Sequence, residues 1–305
     1  MTVDPPLALD HVGTESAVAD PTALAEALTT ALIAIADDTV SVPPRIAART
    51  PHGLLGAMPG HVPGLGLAAK VITVFPDPQR PGRSTHRGVV AAFDPEDGRL
   101  LAILDAEPLT AARTAATSIL AFRTLARPDS RHVTVIGTGT LATAHLALLA
   151  DDPHLTITVA GRDPAQVGAL AEHFAIRPAA SIEAAVRAAD AVLCCTGTDR
   201  PVIRHAWLAP GTHISSVGGS DGPEIDAATV GAASLFAEWH GAAASPPPAG
   251  AHELQGVPTE RITLLGAVLA GRHPGRRDQT EVTVFKSTGH AALDVAAAAV
   301  ATRRK

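Results

Sequence analysis

The sequence has no tyrosine, aromatic residues make up only 3% of it, and two of its 305 residues are cysteine. Without tyrosine, proton transfer falls to lysine, histidine, aspartate or glutamate. So few rings leave no stacking platform for nucleic-acid bases. Cys194 and Cys195 are adjacent within an apolar run. That spacing suits neither a disulfide framework nor metal ligation, so both are expected as buried reduced thiols and no metal is expected. No stretch approaches the ~20 apolar residues that span a bilayer, and the opening MTVDPPLALD lacks the basic and apolar regions of a secretory signal. The formal net charge is −6 and the Lys and Arg residues are scattered, which leaves no basic stripe to neutralise phosphates. A cytoplasmic protein with neither nucleic acid nor a membrane as partner is expected.

What is present is length and apolar bulk: 46% of the residues are hydrophobic, enough for a substantial core, and 305 residues are somewhat long for one compact domain, so two domains are expected. Residues 21–36 place apolar side chains at helical spacing behind Asp20, an N-cap followed by proline. GVVAAF and RLLAIL flank Asp94-Pro95-Glu96-Asp97-Gly98 and predict a hairpin over 88–104. Residues 109–125 have helical period and stop before Pro128. The N-terminal third therefore reads as α+β with antiparallel pairing. Beyond it, HVTVIG, LTITVAG, DAVLCCTG, THISSVGG, ASLFAE and EVTVFKS are short apolar runs mostly separated by helical or turn stretches, the rhythm of an α/β, doubly wound parallel sheet of Rossmann type. Residues 245–250, SPPPAG, read as a surface loop, and HAALDVAAAAVATRRK as a closing Ala-rich helix.

HVTVIG runs directly into Gly137-Thr138-Gly139-Thr140-Leu141-Ala142 and then a helix, which makes a GxGxxA turn in the context that binds dinucleotides. The first glycine permits the tight turn, the second lets a pyrophosphate reach backbone N–H groups, and Ala142 keeps helix and strand close. After the second strand, Gly161 stands where an acidic residue commonly holds the ribose hydroxyls, and Arg162 follows. A guanidinium there accepts a 2′-phosphate, so NADP(H) is expected over NAD(H). The alternative is that Arg162 is solvated and Asp163 takes the ribose, which restores NAD(H). Thr196, Gly197 and Val217, at the ends of the next strand runs, are assigned to the same cofactor. Lys286 and Ser287, ending the last strand, are placed for its nicotinamide side, with a solvent-facing strand end as the alternative.

VPPRI around Arg45, MPGHVPGLGLAAKVITVFP around Lys70, THRGVVAAFDPEDGRLLAILDAEPLTAARTAATSILA, the GTGTLA turn, WLAPGTHISSVGG and VLAGRHPGRRDQTEVTVFKSTGHAALD occur in order, and together they resemble the ornithine cyclodeaminase and mu-crystallin family over nearly the whole chain. The resemblance implies a homodimer. Its substrate-binding and dimerisation domain would comprise residues 1–113 with 290–305, facing a Rossmann domain of residues 114–289 across an active-site cleft. It also implies that Arg45, Lys70 and Arg113 gather on a substrate carboxylate, with Thr85 near the nicotinamide. A lysine in an apolar strand context is costly to bury without a purpose, and neighbouring arginines favour its neutral form, so Lys70 doubles as a proton donor or acceptor. His86 reads as an ordinary satisfied polar residue.

Cyclodeaminases carry an aspartate in a pattern like VGGD, whereas this chain reads Val217-Gly218-Gly219-Ser220-Asp221. Strict register puts Ser220 at that place and a one-residue shift puts Asp221 there as a second catalytic group. The favoured reading is therefore NADPH-dependent reduction of a cyclic imine of the pyrroline-2-carboxylate or piperideine-2-carboxylate type. Ornithine or lysine cyclodeaminase with bound NAD is the alternative, followed by an alanine-type amino acid dehydrogenase or a nicotinamide-dependent binding protein without turnover. Steady-state KM values for the two cofactors check the Gly161-Arg162 reading: a lower KM for NADPH is expected, and a clear preference for NADH refutes it.

Overall fold

Asp20 caps its helix as the sequence predicts, accepting from the N–H groups of Thr22 and Ala23 at 3.0 and 3.1 Å. In the computed structural model, residues 5–76, 84–219 and 221–303 are described, with backbone alone at 76 and 84–86. The chain divides into two units, residues 1–113 with 290–305 and residues 114–289.

The first unit contains β1 (Leu7–Leu9), α1 (His11–Ala17), α2 (Pro21–Ala36), β2 (Ile46–Thr50), β3 (Gly53–Val62), β4 (Gly66–Pro76), β5 (Ser84–Phe93) and β6 (Leu100–Asp105). They form one sheet in the order β1-β6-β5-β4-β3-β2. Pairing is antiparallel from β2 to β6, including the expected hairpin, and parallel only between β1 and β6. Helix α3 (Ala106–Leu125) follows, and the division between the units falls within it at Arg113.

Strand periodicity sorts the side chains of this sheet. Ala68, Lys70, Val90, Ala92, Ala102 and Leu104 are buried, and the closing helix α10 (Ala291–Thr302) packs on β3, β4 and β5 as well as on α2. Helix α2 turns Leu24, Ala27, Leu28, Ala31, Leu32 and Ile35 inward, the stripe expected of period 3.6. Helix α10 is buried nearly all round. Its many alanines let neighbouring backbones approach closely, so Asp294 on it is enclosed by protein. On the alternate positions Val89 pairs with Val71, Val71 with Ala57, and Ala57 with Ile46. Ile46, Leu55, Val89 and Ile103 there are large apolar side chains left exposed.

The second unit runs β7 (His132–Ile136), α4 (Thr140–Leu149), β8 (Thr156–Ala160), α5 (Pro164–His173), β9 (Arg177–Pro178), α6 (Ile182–Arg187), β10 (Ala191–Cys194), β11 (His213–Ser216), α7 (Ala227–Ala232), β12 (Ser234–Ala237), α8 (Gly241–Ala244), β13 (Ile262–Leu264), α9 (Leu265–Leu269) and β14 (Thr283–Lys286). Its sheet order is β13-β12-β14-β11-β10-β7-β8-β9, with every pairing parallel. This is the Rossmann-type arrangement that the alternating apolar runs predict. The central strands carry Val133, Val135, Ile136, Val159, Val192, Leu193 and Ile214 in the core because helices cover both faces. Strand order reverses between β7 and β10, and ligands of such sheets bind beyond the carboxyl ends at that point. Cys194 and Cys195 are free and buried in the cores on opposite sides of this sheet. No single helix among the described residues is long and apolar enough to cross a membrane.

Candidate active site

The glycine turn lies at the carboxyl end of β7. Gly137 has φ +130°, and a Cβ there would come within 2.6 Å of the Cys195 carbonyl oxygen, so both conformation and space require glycine. Its N–H donates to the Ala160 carbonyl at 2.9 Å, while the N–H of Cys195 donates to Ile136 at 2.8 Å. The turn is thereby tied to the strand ends on either side. Gly139 then starts α4 without a side-chain cap, unlike α2, α5, α6 and α7, whose first turns are capped by Asp or Ser. First-turn amides have no intrahelical acceptor, and Thr140, Leu141 and Ala142 supply them here. Together with the helix dipole they form a seat for a pyrophosphate. Ala142 is fully buried against the sheet, and the Thr138 hydroxyl donates to Gln166 Oε1 at 2.8 Å.

At the end of β8, a Cβ on Gly161 would lie 3.0 Å from Thr138 Cγ2 and 3.1 Å from Val167 Cγ2, a crowding that disfavours the acidic side chain of NAD-type sites. Arg162 is exposed. Asp163 caps α5 through Ala165 N–H at 2.9 Å, so its carboxylate already has a structural task.

The ends of β10, β11 and β14 are knitted by a buried charge network. Glu224 accepts from Thr196 N–H at 2.7 Å, the Thr196 hydroxyl at 2.6 Å, the Ser216 hydroxyl at 2.6 Å and Gly218 N–H at 2.9 Å. Lys286 donates to Ser216 Oγ and the Gly218 carbonyl, both at 2.9 Å, and pairs with Glu253 at 3.1 Å and Glu224 at 3.8 Å. The Ser287 hydroxyl donates to Glu238 Oε1 at 3.2 Å. Burial corrects the alternative of a solvent-facing strand end for Lys286 and Ser287: both side chains are buried and engaged by carboxylates of the same unit. Val217 is itself held to β10 by its N–H on the Cys194 carbonyl at 2.9 Å. Asp221 is exposed beside that turn: a Cβ on Gly197 would lie 4.0 Å from its Oδ2. Ser220 lies outside the described residues, as do the side chains of Thr85 and His86.

In the first unit, β4, α3 and α10 bring together the cations that the family pattern singles out. Lys70 Nζ lies 2.8 Å from Asp294 Oδ2, and Arg113 Nε donates to Asp294 Oδ1 at 3.0 Å. Lys70, Arg113 and Asp294 are 4%, 5% and 1% exposed, so these charges interact in a low dielectric rather than through water. Burial lowers the Lys70 pKa to about 8; Asp294 opposes that shift, and the positive charges of Arg113 and Arg45 add to it. Burial pushes the Asp294 carboxyl up, but Lys70 and Arg113 outweigh it and hold the group below the usual carboxylate range. Arg45 is half-buried just ahead of β2. His290, at the N-cap of α10, is lowered to about 4, chiefly by burial, and so is neutral near pH 7. Sequence reasoning missed Asp294, Glu224 and Glu253. The signal for Asp294 was a lone acid inside the apolar stretch AALDVAAAAVA.

The model of the ornithine cyclodeaminase/mu-crystallin family matches residues 7–304. A Delta(1)-pyrroline-2-carboxylate reductase of Paracoccus denitrificans is 34% identical over 266 residues, which cover 80% of this chain and 81% of that protein. Among solved structures, the Thermococcus litoralis Delta(1)-pyrroline-2-carboxylate reductase in complex with NADH and L-proline aligns with a TM-score of 0.85 at 25% identity, over 97% of this chain and 96% of that one. An archaeal alanine dehydrogenase dimer with bound NAD aligns with a TM-score of 0.84 at 27% identity, over 97% and 95%.

Replacing Lys286 by Met removes the cation between two buried carboxylates, and is expected to cost about 3–5 kcal/mol of stability in urea unfolding. A loss below about 1 kcal/mol would show that the network does not depend on that charge.

Proposed function

Because the chain belongs to the ornithine cyclodeaminase/mu-crystallin family, we propose that it is a cytoplasmic, NADPH-dependent reductase of a cyclic α-imino acid such as pyrroline-2-carboxylate or piperideine-2-carboxylate. The observation that carries this reading is the buried Lys70 ammonium beside Arg113 and Arg45, which has the chemistry for a carboxylate and an adjacent nitrogen. Charge-assisted hydrogen bonds from the arginines hold the carboxylate and fix the ring's orientation. Lys70, with a pKa near 8, is mostly protonated at neutral pH yet gives up its proton readily. It donates that proton to the ring nitrogen as the C=N bond becomes C–N, and is left as the neutral amine, which regains a proton from solvent.

The glycine turn fits a dinucleotide: its geometry excludes a side chain at position 137, and the uncapped start of α4 offers amides to the pyrophosphate. When bound there, the nicotinamide supplies the hydride that reduces the imine carbon. Support for NADPH over NADH comes from the crowded Gly161, the exposed Arg162 and the capping role of Asp163. The relatives named above carry NADH or NAD in their structures, so the phosphate preference is a reading of these residues alone. A second reading, cyclodeamination of ornithine or lysine, draws on the Asp221 carboxylate beside Gly197, a base for a distal amine. The exposed row of Ile46, Leu55, Val89 and Ile103 is proposed as the contact with a second copy. A sheet face of this kind is unusual on a monomer, and the aligned alanine dehydrogenase is a dimer.

An absorbance assay separates the reactions: NADPH is expected to be consumed with a cyclic imino acid, whereas ammonia release from ornithine under catalytic cofactor, without net NADPH oxidation, would overturn the reductase reading. Val89→Glu is expected to convert a dimer to a monomer in light scattering after size exclusion. A dimer that persists in Val89→Glu would place the contact elsewhere, and a wild-type monomer would end the dimer proposal.

A further inference from the structure

A buried carboxylate in a pocket built to bind a carboxylate calls for an account. Asp294 is carried on α10, 181 residues from Arg113 in sequence, yet one oxygen faces Arg113 Nε at 3.0 Å and the other faces Lys70 Nζ at 2.8 Å. We infer that Asp294 is the positioning residue of this pocket, a fixed counter-charge that holds Lys70 and Arg113 in one arrangement and keeps the lysine protonated until the substrate nitrogen takes the proton. The inference rests on the reductase reading for the identity of that nitrogen, but not for the effect of Asp294 on Lys70.

The charge balance shows why such a group is needed. Arg45, Lys70 and Arg113 place three cations around one volume, and a buried lysine among arginines would otherwise deprotonate. With Lys70 neutral, the pocket would still bind a carboxylate but would have no proton to give. The other groups facing the pair are few. Arg113 comes from α3, Arg45 from the chain ahead of β2, and His290 from the start of α10, where burial keeps it neutral. Among the described residues, the buried side chains of α2, β3, β5 and β6 are apolar, and α1 contributes only the Thr14 hydroxyl. Among the described residues, Asp294 is therefore the negative charge that opposes the arginines at Lys70. It is not a catalytic residue, because it acts on substrate only through Lys70 and Arg113.

The test compares wild type, Asp294→Asn and Asp294→Glu by the pH dependence of kcat/KM for cyclic imino acid reduction with NADPH. The wild-type profile is expected to fall on the alkaline side as Lys70 deprotonates. Removing an opposite charge at this distance is expected to move that limb about 1–3 pH units lower, to raise KM for the imino acid, and to leave KM for NADPH unchanged. Asp294→Glu, which keeps the charge, is expected to return the limb most of the way. A limb that stays in place in Asp294→Asn, with only a lower melting temperature, would overturn the inference. Trace acetylation of Lys70, read by mass spectrometry across pH, gives a readout that needs no turnover. If the wild type reduces no imine, the functional reading fails by itself, and the inference then stands or falls on whether Asp294→Asn lowers the pH at which Lys70 becomes reactive.

Discussion

One electrostatic constraint governs the first unit: an ammonium and a guanidinium, both almost wholly removed from water, share a single carboxylate at 2.8 and 3.0 Å. Taking charges out of water is expensive, and breaking such a cluster by removing one member costs more than the cluster contributes as a whole. A fold that keeps it must hold three distant segments in register. Strand β4 supplies Lys70, α3 supplies Arg113 and the closing helix supplies Asp294. The near-total burial of that helix between α2 and the sheet is what makes the arrangement rigid. Among the described residues this cluster sets three cations, counting Arg45, against one buried acid. That excess suits an anionic ligand.

The second unit solves a different problem with the same materials. Its dinucleotide turn is backbone chemistry: a positive φ at Gly137, an uncapped helix start, and hydrogen bonds from strand end to strand end. Beneath it, Glu224, Lys286 and Glu253 form a second buried charge network that fixes the turns after β10 and β11. Glu224 alone accepts four hydrogen bonds, two from Thr196 and one each from Ser216 and Gly218. The two charge clusters thus differ in what they serve. Among the described residues, cations outnumber acids in the first, whereas in the second Glu224 and Glu253 outnumber Lys286 and the hydrogen bonds of Glu224 tie loops together.

Much of this was legible in the order of residues because it is local. The Val/Ile-rich runs that became β7, β8, β10, β11 and β14 owe their pattern to burial on both faces. The GTGTLA turn announces itself because two glycines and an alanine must fall at fixed offsets between strand and helix. Asp20 with Pro21 marked a helix start for the same reason. Strands β9 and β13, of two and three residues, were not legible, since pairing with a longer neighbour defines them and periodicity does not. The partners of Lys286 were not legible, because a strand end by itself says nothing about Glu224 and Glu253, which come to it from elsewhere in the chain. Arg45, Lys70 and Arg113 were marked as a group by the family pattern, and only Lys70 stood out on its own, as a charge within an apolar strand. Asp294 looked like one polar residue in an Ala-rich helix, and its meaning appears only when the helix is seated on the sheet.

The central claim is that the positive excess around Lys70 binds the carboxylate of a cyclic imino or amino acid. Calorimetric titration of the NADP⁺-saturated protein with L-proline and with L-prolinamide, which differ in that carboxylate and share the ring, tests it most directly. L-proline is expected to bind and the amide is not. Equal affinity for the two, or binding of the amide alone, would contradict it.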